Sequence, residues 1–173
     1  NERDGVVATV DTRDGRTSQA EGALLLAADG LHSVVRAQMH PGQPAPHWGG
    51  QVLWRGATPG PPVRSGAAFT LVGTLDQRFV HYPISAPDPE TGLQLQNWIA
   101  ERTVDTADGL ADADWNRPAD VDRFLPAFED WTFDWLDIPH LVRGAPAIWE
   151  FPMVDRDPVD RWVDGRVCLL GDA

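Results

Sequence analysis

The sequence predicts an α+β fold: a mixed, mainly antiparallel β-sheet domain with a few helices, flanked by partial strands of a second, α/β domain. Three observations lead to this prediction. Strand-like runs separated by turn residues dominate the first 100 residues. Apolar residues recur at helical spacing mainly in two later stretches, 118–130 and 133–143. Continuous apolar runs near both ends of the chain are typical of buried strands in a parallel sheet.

The first elements are a predicted hairpin that leads into such a strand. Gly5 to Val10 is rich in β-branched residues, and Asp14-Gly15 after it is a turn signal. Thr17 to Leu26 is the predicted return strand. The apolar run Ala23 to Ala28 at its end is expected to be buried on both faces of a sheet.

The middle of the chain is predicted to form the antiparallel sheet. It begins after a connector rich in Pro and Gly at residues 41–49, and a turn at Thr74 to Gln77 joins two of its strands. Pro118 to Asp130 is a predicted helix. A second helix is predicted over Phe133 to Arg143, kinked or split because Pro139 lies inside it. Strands are predicted at Gln51 to Thr58, Ala67 to Gly73, Phe79 to Ile84, Leu93 to Ala100, Ala147 to Val154 and Arg166 to Leu170.

Three segments follow from this pattern. Residues 1–40 are expected to belong to an α/β domain, residues 41–160 to a β-rich domain, and residues 161–173 to a return strand of the first domain. The chain stops at Gly171-Asp172-Ala173, where a strand should turn into a helix. Because domains rarely end between a strand and the helix expected to follow it, we expect this polypeptide to be the middle of a longer protein.

Composition excludes several classes of function. All 14 basic residues are Arg, so a Walker-type phosphate loop and a Schiff-base Lys are both absent. The formal net charge of −12 argues against nucleic acid as the main partner. Residues 101–164 hold 16 acidic residues and 6 Arg, either as a solvated acidic face or as a docking surface for a cationic partner. With no secretory signal or membrane span in the sequence, we expect a cytoplasmic protein without a membrane partner.

Metal and acid–base sites are not indicated. The five His residues lack metal-ligand spacing, and Cys168 is the single cysteine, so no metal site is predicted. Asp155 and Asp157 are interpreted as turn residues rather than as an acid–base couple. No catalytic side chain is therefore predicted.

The first apolar strand leads into a motif suited to a cofactor. Asp29-Gly30 stops the strand, and a helix is predicted over Leu31 to Met39, ending before Pro41. Helix N-termini at the carboxyl edge of a sheet hold dinucleotides, and Gly30 allows a ligand to approach closely. Arg36 is expected to reach a pyrophosphate. A plain tight turn is the alternative for Asp29-Gly30.

The last strand leads into a comparable motif. The strand is followed directly by Gly171 and Asp172, which are therefore expected to lie at an edge of the sheet. Asp172 can accept hydrogen bonds from ribose or ribityl hydroxyls there, or it can serve only as the cap of a following helix.

Together the two motifs resemble those of the class A flavoprotein aromatic hydroxylases, the p-hydroxybenzoate hydroxylase type. The strings between them resemble one branch most, the phenazine hydroxylases. The Gly-x-Gly-x-x-Gly of that family does not occur in this sequence, nor does its helix after Gly-Asp-Ala. The strings that carry the resemblance are Ala27 to Arg36, Trp54 to Gly56, His81 to Ser85, Asn97-Trp98, Asp114 to Arg117, Phe124 to Phe128, Asp130-Trp131, Phe151 to Pro158 and Arg166 to Ala173.

The resemblance implies a substrate domain inserted in an FAD-binding, Rossmann-like domain. It also implies a reaction in which NAD(P)H reduces FAD, O₂ adds to form a C4a-hydroperoxide, and an aromatic substrate, a phenazine or an aromatic carboxylate, is hydroxylated. Gly171 and Asp172 would bind the ribityl chain of FAD. Asp29, Gly30 and Arg36 would serve the pyrophosphate and nicotinamide side.

The substrate contacts are also implied by the resemblance, since the family lays one face of this sheet over the flavin. Alternate residues of a strand share a face. Arg suits a carboxylate and aromatic rings suit a planar substrate, so Arg55, Tyr82 and Trp98 are candidates for the pocket wall. The alternative is that each is a residue of the core or of the sheet surface.

Two other functions stay open at this point. One is a flavoenzyme relative that reduces or epoxidises a non-aromatic substrate. The other is a non-redox, β-rich module that binds an aromatic ligand. Because two cofactor-lining motifs are missing from the sequence, the 173-residue chain is expected to bind FAD weakly or not at all, and to be inactive alone.

Overall fold

A computed structural model of the chain describes residues 5–104 and 117–173, so the string Asp114 to Asn116 lies outside the described residues. The chain divides into two compact units, Asn1–His47 with Asp155–Ala173, and Trp48–Val154. In chain order the elements are β1 (Val6–Asp11), β2 (Thr17–Gly22), β3 (Leu25–Ala27), α1 (Val34–Met39), β4 (His47–Gly60), β5 (Thr70–Gly73), β6 (Gln77–Pro83), β7 (Gln94–Thr103), β8 (Arg117–Pro118), α2 (Val121–Phe124), a 3₁₀ helix (Leu125–Phe128), β9 (Thr132–Phe133), β10 (Leu136–Asp137), α3 (Ile138–Arg143), β11 (Ile148–Asp155), β12 (Val163–Asp164) and β13 (Val167–Leu169).

The first unit holds a hairpin and a small sheet. β1 and β2 pair antiparallel around a turn in which Gly15 has a φ of +79°. β3 and β13 pair in parallel, and β12 pairs antiparallel with β13. The two apolar runs from opposite ends of the chain are thus parallel neighbours, as their composition predicts.

Two expectations for this unit are wrong. The return strand predicted over residues 17–26 is two strands in two sheets, because the polar run of β2 pairs with β1 while the leucines that follow join β13. β3 is also buried on one face only: Ala27 is 4% exposed and Leu26 is 61% exposed. Neighbouring residues of a strand point to opposite faces, and only the Ala27 face is covered within the described residues.

The second unit is built on a six-stranded sheet with the order β5-β6-β7-β4-β11-β8. β5, β6, β7 and β4 are antiparallel neighbours in that order. One side, the core face, carries buried apolar side chains of β4, β6 and β7 that pack against residues of α2, the 3₁₀ helix and α3. The core-face residues are Val52, Trp54, Gly56, Thr58, Phe79, His81, Gln96, Trp98 and Ala100.

Aromatic stacking and two linked hydrogen bonds connect the core face to its helices. Trp54 stacks on Phe124 with ring centroids 4.7 Å apart. Trp98 Nε1 donates to Thr58 Oγ1 at 3.0 Å, and Thr58 Oγ1 donates to the carbonyl of Leu141 in α3 at 2.7 Å. Since buried polar groups that lack partners are costly, these bonds allow Trp98 and Thr58 to lie in the core.

The helical predictions for the second unit are only partly right. Residues 118–130 form α2 and then a 3₁₀ helix, because Pro126 has no N–H to continue the α-helical ladder. Residues 132–137 form a β9–β10 hairpin instead of helix. α3 begins at Ile138, and Asp137 caps it by accepting from the His140 N–H at 2.9 Å. Pro139 therefore lies in the first turn, where its fixed φ favours a helix, and does not kink one.

Within residues 5–104 and 117–173, no helix is long and apolar enough to cross a membrane. No group of three or more His, Cys, Asp or Glu side chains in those ranges is placed to hold a metal ion. The thiol of Cys168 is free and partly buried in β13.

Candidate cofactor and substrate sites

The two sequence motifs meet at one edge of the parallel sheet. Leu169 of β13 pairs with Ala27 of β3, and the Leu170 N–H donates to the Ala27 carbonyl at 2.9 Å. Because the strands are parallel, Asp29-Gly30 and Gly171-Asp172 leave from the same carboxyl edge. This is the edge at which open α/β sheets bind their ligands.

Asp29 builds the start of α1. Its carboxylate accepts from Ser33 Oγ at 2.6 Å and from the N–H groups of Val34 and Val35 at 2.9 and 3.4 Å. Ser33 Oγ in turn accepts from the Arg36 N–H at 2.9 Å. Burial favours a higher pKa for Asp29, but these donors outweigh it and hold the pKa below its ordinary value. The Asp29 carboxylate is thus charged and engaged in the tight turn, not free at the edge.

Gly30 and Gly171 are the residues that need glycine geometry at this edge. Their φ angles are +77° and +65°, in the left-handed region that other residues adopt at a cost. A Cβ at either position would meet no heavy atom within 4 Å, so there is open space beside both. Asp172 is exposed, and no hydrogen bond to its carboxylate is found within the described residues.

Arg36 lies elsewhere than the sequence suggests. Its side chain is 7% exposed, and its guanidinium donates Nη1 to the Ala173 carbonyl at 3.2 Å and Nη2 to the Asp157 carbonyl at 2.9 Å. Nε donates to Gln43 Oε1 at 2.7 Å. Arg36 therefore holds three segments of the first unit together, and it does not present a free cation for a pyrophosphate.

Arg55 and Tyr82 share the sheet face opposite the core, called the Arg55 face. It comprises Arg55 and Ala57 of β4, Val80 and Tyr82 of β6, and Asn97 and Ile99 of β7. Tyr82 stacks on Phe69 with ring centroids 5.5 Å apart. The two rings lie in an open groove of about 680 Å³ that also includes Ile84 and Gln94, within the range of small-molecule pockets.

Trp98 is not part of this face. It pairs across the sheet with Gly56 and His81, both core-face residues, and is 0% exposed. Its ring stacks on Phe79 at 5.9 Å. The prediction that it lines a pocket with Arg55 and Tyr82 is corrected: residues 97 and 98 point to opposite faces, and the core takes the indole.

Asn97 is the residue of this face that sequence reasoning missed. It lies directly opposite Tyr82, and its Oδ1 accepts from Arg55 Nε at 3.1 Å. The sequence could have indicated this position, because side chains alternate along a strand. Residue 97 therefore lies on the Arg55 face once residue 98 is assigned to the core. Glu101, farther along β7, does not neutralise Arg55, since its carboxylate is bound by Arg78 at 2.8 and 2.5 Å.

Comparisons with known proteins show which sequences and folds the chain is similar to. No family model matches the chain. HpxO of Klebsiella pneumoniae, solved with FAD and uric acid, has a TM-score of 0.63 and 27% identity over 99% of this chain and 40% of its own. The phenazine 1,6-dicarboxylic acid hydroxylase PhzS of Lysobacter antibioticus is 39% identical over 161 residues, 92% of this chain. In sequence and in fold, the chain is similar to a part of the class A flavoprotein monooxygenases.

These relatives are much longer than the chain itself. It spans 39% of the length of PhzS. It spans 37% of an aurachin C monooxygenase/isomerase from Stigmatella aurantiaca, which is 35% identical over 163 residues. The described fold, with both ends of the chain in one unit and the sheet in the other, thus corresponds to about two fifths of such an enzyme.

Proposed function

We propose that this chain supplies the substrate-binding sheet and one edge of the FAD site in a monooxygenase that hydroxylates an aromatic substrate. The observation that carries the proposal is the meeting of Asp29-Gly30 and Gly171-Asp172 at one carboxyl edge of a parallel sheet. The two relatives described above, a hydroxylase and a monooxygenase/isomerase, support the same conclusion. The whole enzyme, in which this chain would be one part, is called the parent protein.

The residues at the sheet edge differ in whether they could contact FAD directly. Asp172 is exposed beside the open space at Gly171, so its carboxylate can accept from the hydroxyls of a ribityl chain. Asp29, Gly30 and Arg36 would act indirectly, by fixing the start of α1 and the path of the last residues. When bound and reduced by NAD(P)H, FAD would supply the activation of O₂.

The Arg55 face would bind the substrate. Phe69 and Tyr82 form an aromatic pair for a planar ring, and the exposed Arg55 guanidinium suits a carboxylate. PhzS is named for an aromatic dicarboxylic acid. We propose a phenazine or a related aromatic carboxylate as the substrate. We also propose that the reaction takes place in the cytoplasm without a membrane partner. A nucleic acid partner is not proposed, in keeping with the net charge of −12.

Replacement of Asp172 by Ala in the parent protein is expected to weaken FAD binding at least tenfold, because the ribityl hydroxyls lose a charged acceptor. FAD titrated into the apoprotein, followed by flavin fluorescence, measures this. Asp160→Ala, which removes an exposed carboxylate of the same unit, is the control and should leave the Kd for FAD unchanged. Equal Kd values for Asp172→Ala and the wild type would refute the role of Asp172.

A further inference from the structure

Asn97 carries a polar atom that has no hydrogen-bond partner among the described residues. Its side chain is 3% exposed, and its Nδ2 is buried with no hydrogen-bond partner. The assignment of the two carboxamide atoms follows from Arg55, which can only donate: the atom facing Arg55 Nε must be Oδ1, and the unpaired atom is the NH₂ group. An unpaired buried donor is costly and rare in folded proteins, so it calls for a functional explanation.

The neighbours of Asn97 give that explanation. It lies between Tyr82 of β6 and Ala57 of β4 on the Arg55 face. Through its Oδ1 it fixes Arg55 Nε, while no bond to the two terminal nitrogens of Arg55 is found within the described residues. The Arg55 guanidinium and the Asn97 amide therefore belong to the same sheet face as Tyr82, whose ring stacks on Phe69.

We propose that Asn97 is a specificity-determining residue that reads a hydrogen-bond acceptor on the substrate ring, next to the carboxylate bound by Arg55. This rests on the proposed function of the face. The substrate class that fits is a planar heteroaromatic acid whose carboxylate lies beside a ring nitrogen or ring carbonyl. Because Nδ2 is buried, a ligand reaches it only when a side chain of the face moves, and we assign that movement to Arg55, which is exposed.

Two isosteric probes test the proposal in the parent protein. Phenazine-1,6-dicarboxylate has a ring nitrogen beside each carboxylate, and anthracene-1,5-dicarboxylate has C–H groups in those places. Binding is measured from the change in the flavin absorbance spectrum. The wild type is expected to bind the phenazine at least tenfold more tightly than the anthracene, since only the phenazine offers an acceptor to Nδ2.

Asn97→Asp keeps the acceptor for Arg55 but removes the donor, and Asn97→Ala removes both. Each is expected to bring the ratio of the two Kd values close to one. A ratio of Kd values is independent of the fraction of folded protein, so partial misfolding does not imitate the result. Arg55→Met is the matched control and should weaken both ligands together while the ratio persists.

An unchanged ratio in both Asn97 variants overturns the proposal, and so does equal binding of the two probes by the wild type. If Arg55→Met still weakens both ligands in that case, the substrate face stands and only the role of Asn97 fails. If neither probe perturbs the flavin of the wild type, the proposed function itself fails for this class of substrate.

Discussion

Replacing Gly56 with Ala is expected to destabilise the second unit by about 3 kcal/mol, the upper part of the usual range for overpacking a core. A Cβ at this position would lie 2.4 Å from Cζ2 and 2.8 Å from Cε2 of Trp98. The indole cannot retreat easily, because it is 0% exposed, stacked on Phe79 and bound through Nε1 to Thr58. Relief of the clash therefore requires the strands β4 and β7 to shift.

The control is Gly60→Ala in the same strand, where a Cβ would meet Gln96 Cγ at 3.6 Å, an ordinary contact. Urea unfolding of the 173-residue chain, followed by tryptophan fluorescence, measures both variants. Gly60→Ala should remain close to the wild type. Equal midpoints for all three proteins would contradict the core position of Trp98 and restore it as a candidate for the substrate pocket.

Replacing Arg36 with Met is expected to release the last residues of the chain and to destabilise the first unit by about 4 kcal/mol, since hydrogen bonds to charged groups contribute more than neutral ones and their loss leaves buried acceptors unpaired. The guanidinium bonds to the Ala173 and Asp157 carbonyls and to Gln43 Oε1 all disappear. Met keeps an unbranched apolar stem like that of Arg but has no hydrogen-bond donor, so the effect reports mainly the loss of these bonds.

Amide hydrogen exchange of the 173-residue chain localises this effect. Protection is expected to fall in β13 and α1 but not in the six-stranded sheet. Arg16→Met is the control, because the Arg16 side chain is 81% exposed and its pair with Asp14 lies at the surface. Unchanged protection around residues 157 and 167–173 in Arg36→Met would show that Arg36 is free, and would return it to the list of pyrophosphate ligands.

Local patterns were enough to predict the sheet and the place of both motifs. The runs around Leu26 and Cys168 are short and apolar, which favours parallel strands, and the motifs follow them directly along the chain. Alternation likewise predicted that Val80 and Tyr82 lie opposite Phe79 and His81. In the first case a continuous apolar run, and in the second a period of two residues, predicts the structure without knowledge of the neighbours.

Two of the errors came from long-range contacts. The roles of Arg36 and Trp98 depend on residues far away in sequence, on the Asp157 carbonyl in one case and on Thr58 in the other. The predicted kink at Pro139 is wrong because the effect of a proline depends on where the helix begins, and the Asp137 cap sets that position. The sequence does not single out Asn97, because the burial of its Nδ2 without a hydrogen-bond partner is seen only in the structure.

The proposal that this chain belongs to an oxygen-transferring enzyme is tested most directly with labelled oxygen. The purified parent protein is supplied with FAD, NAD(P)H, oxygen-18 gas and phenazine-1,6-dicarboxylate, and the products are analysed by mass spectrometry. One labelled oxygen atom in a hydroxylated ring for each NAD(P)H oxidised is the predicted result. A protein that retains no flavin, or one that oxidises NAD(P)H and returns all of the label as peroxide or water across a panel of aromatic acids, would contradict the account.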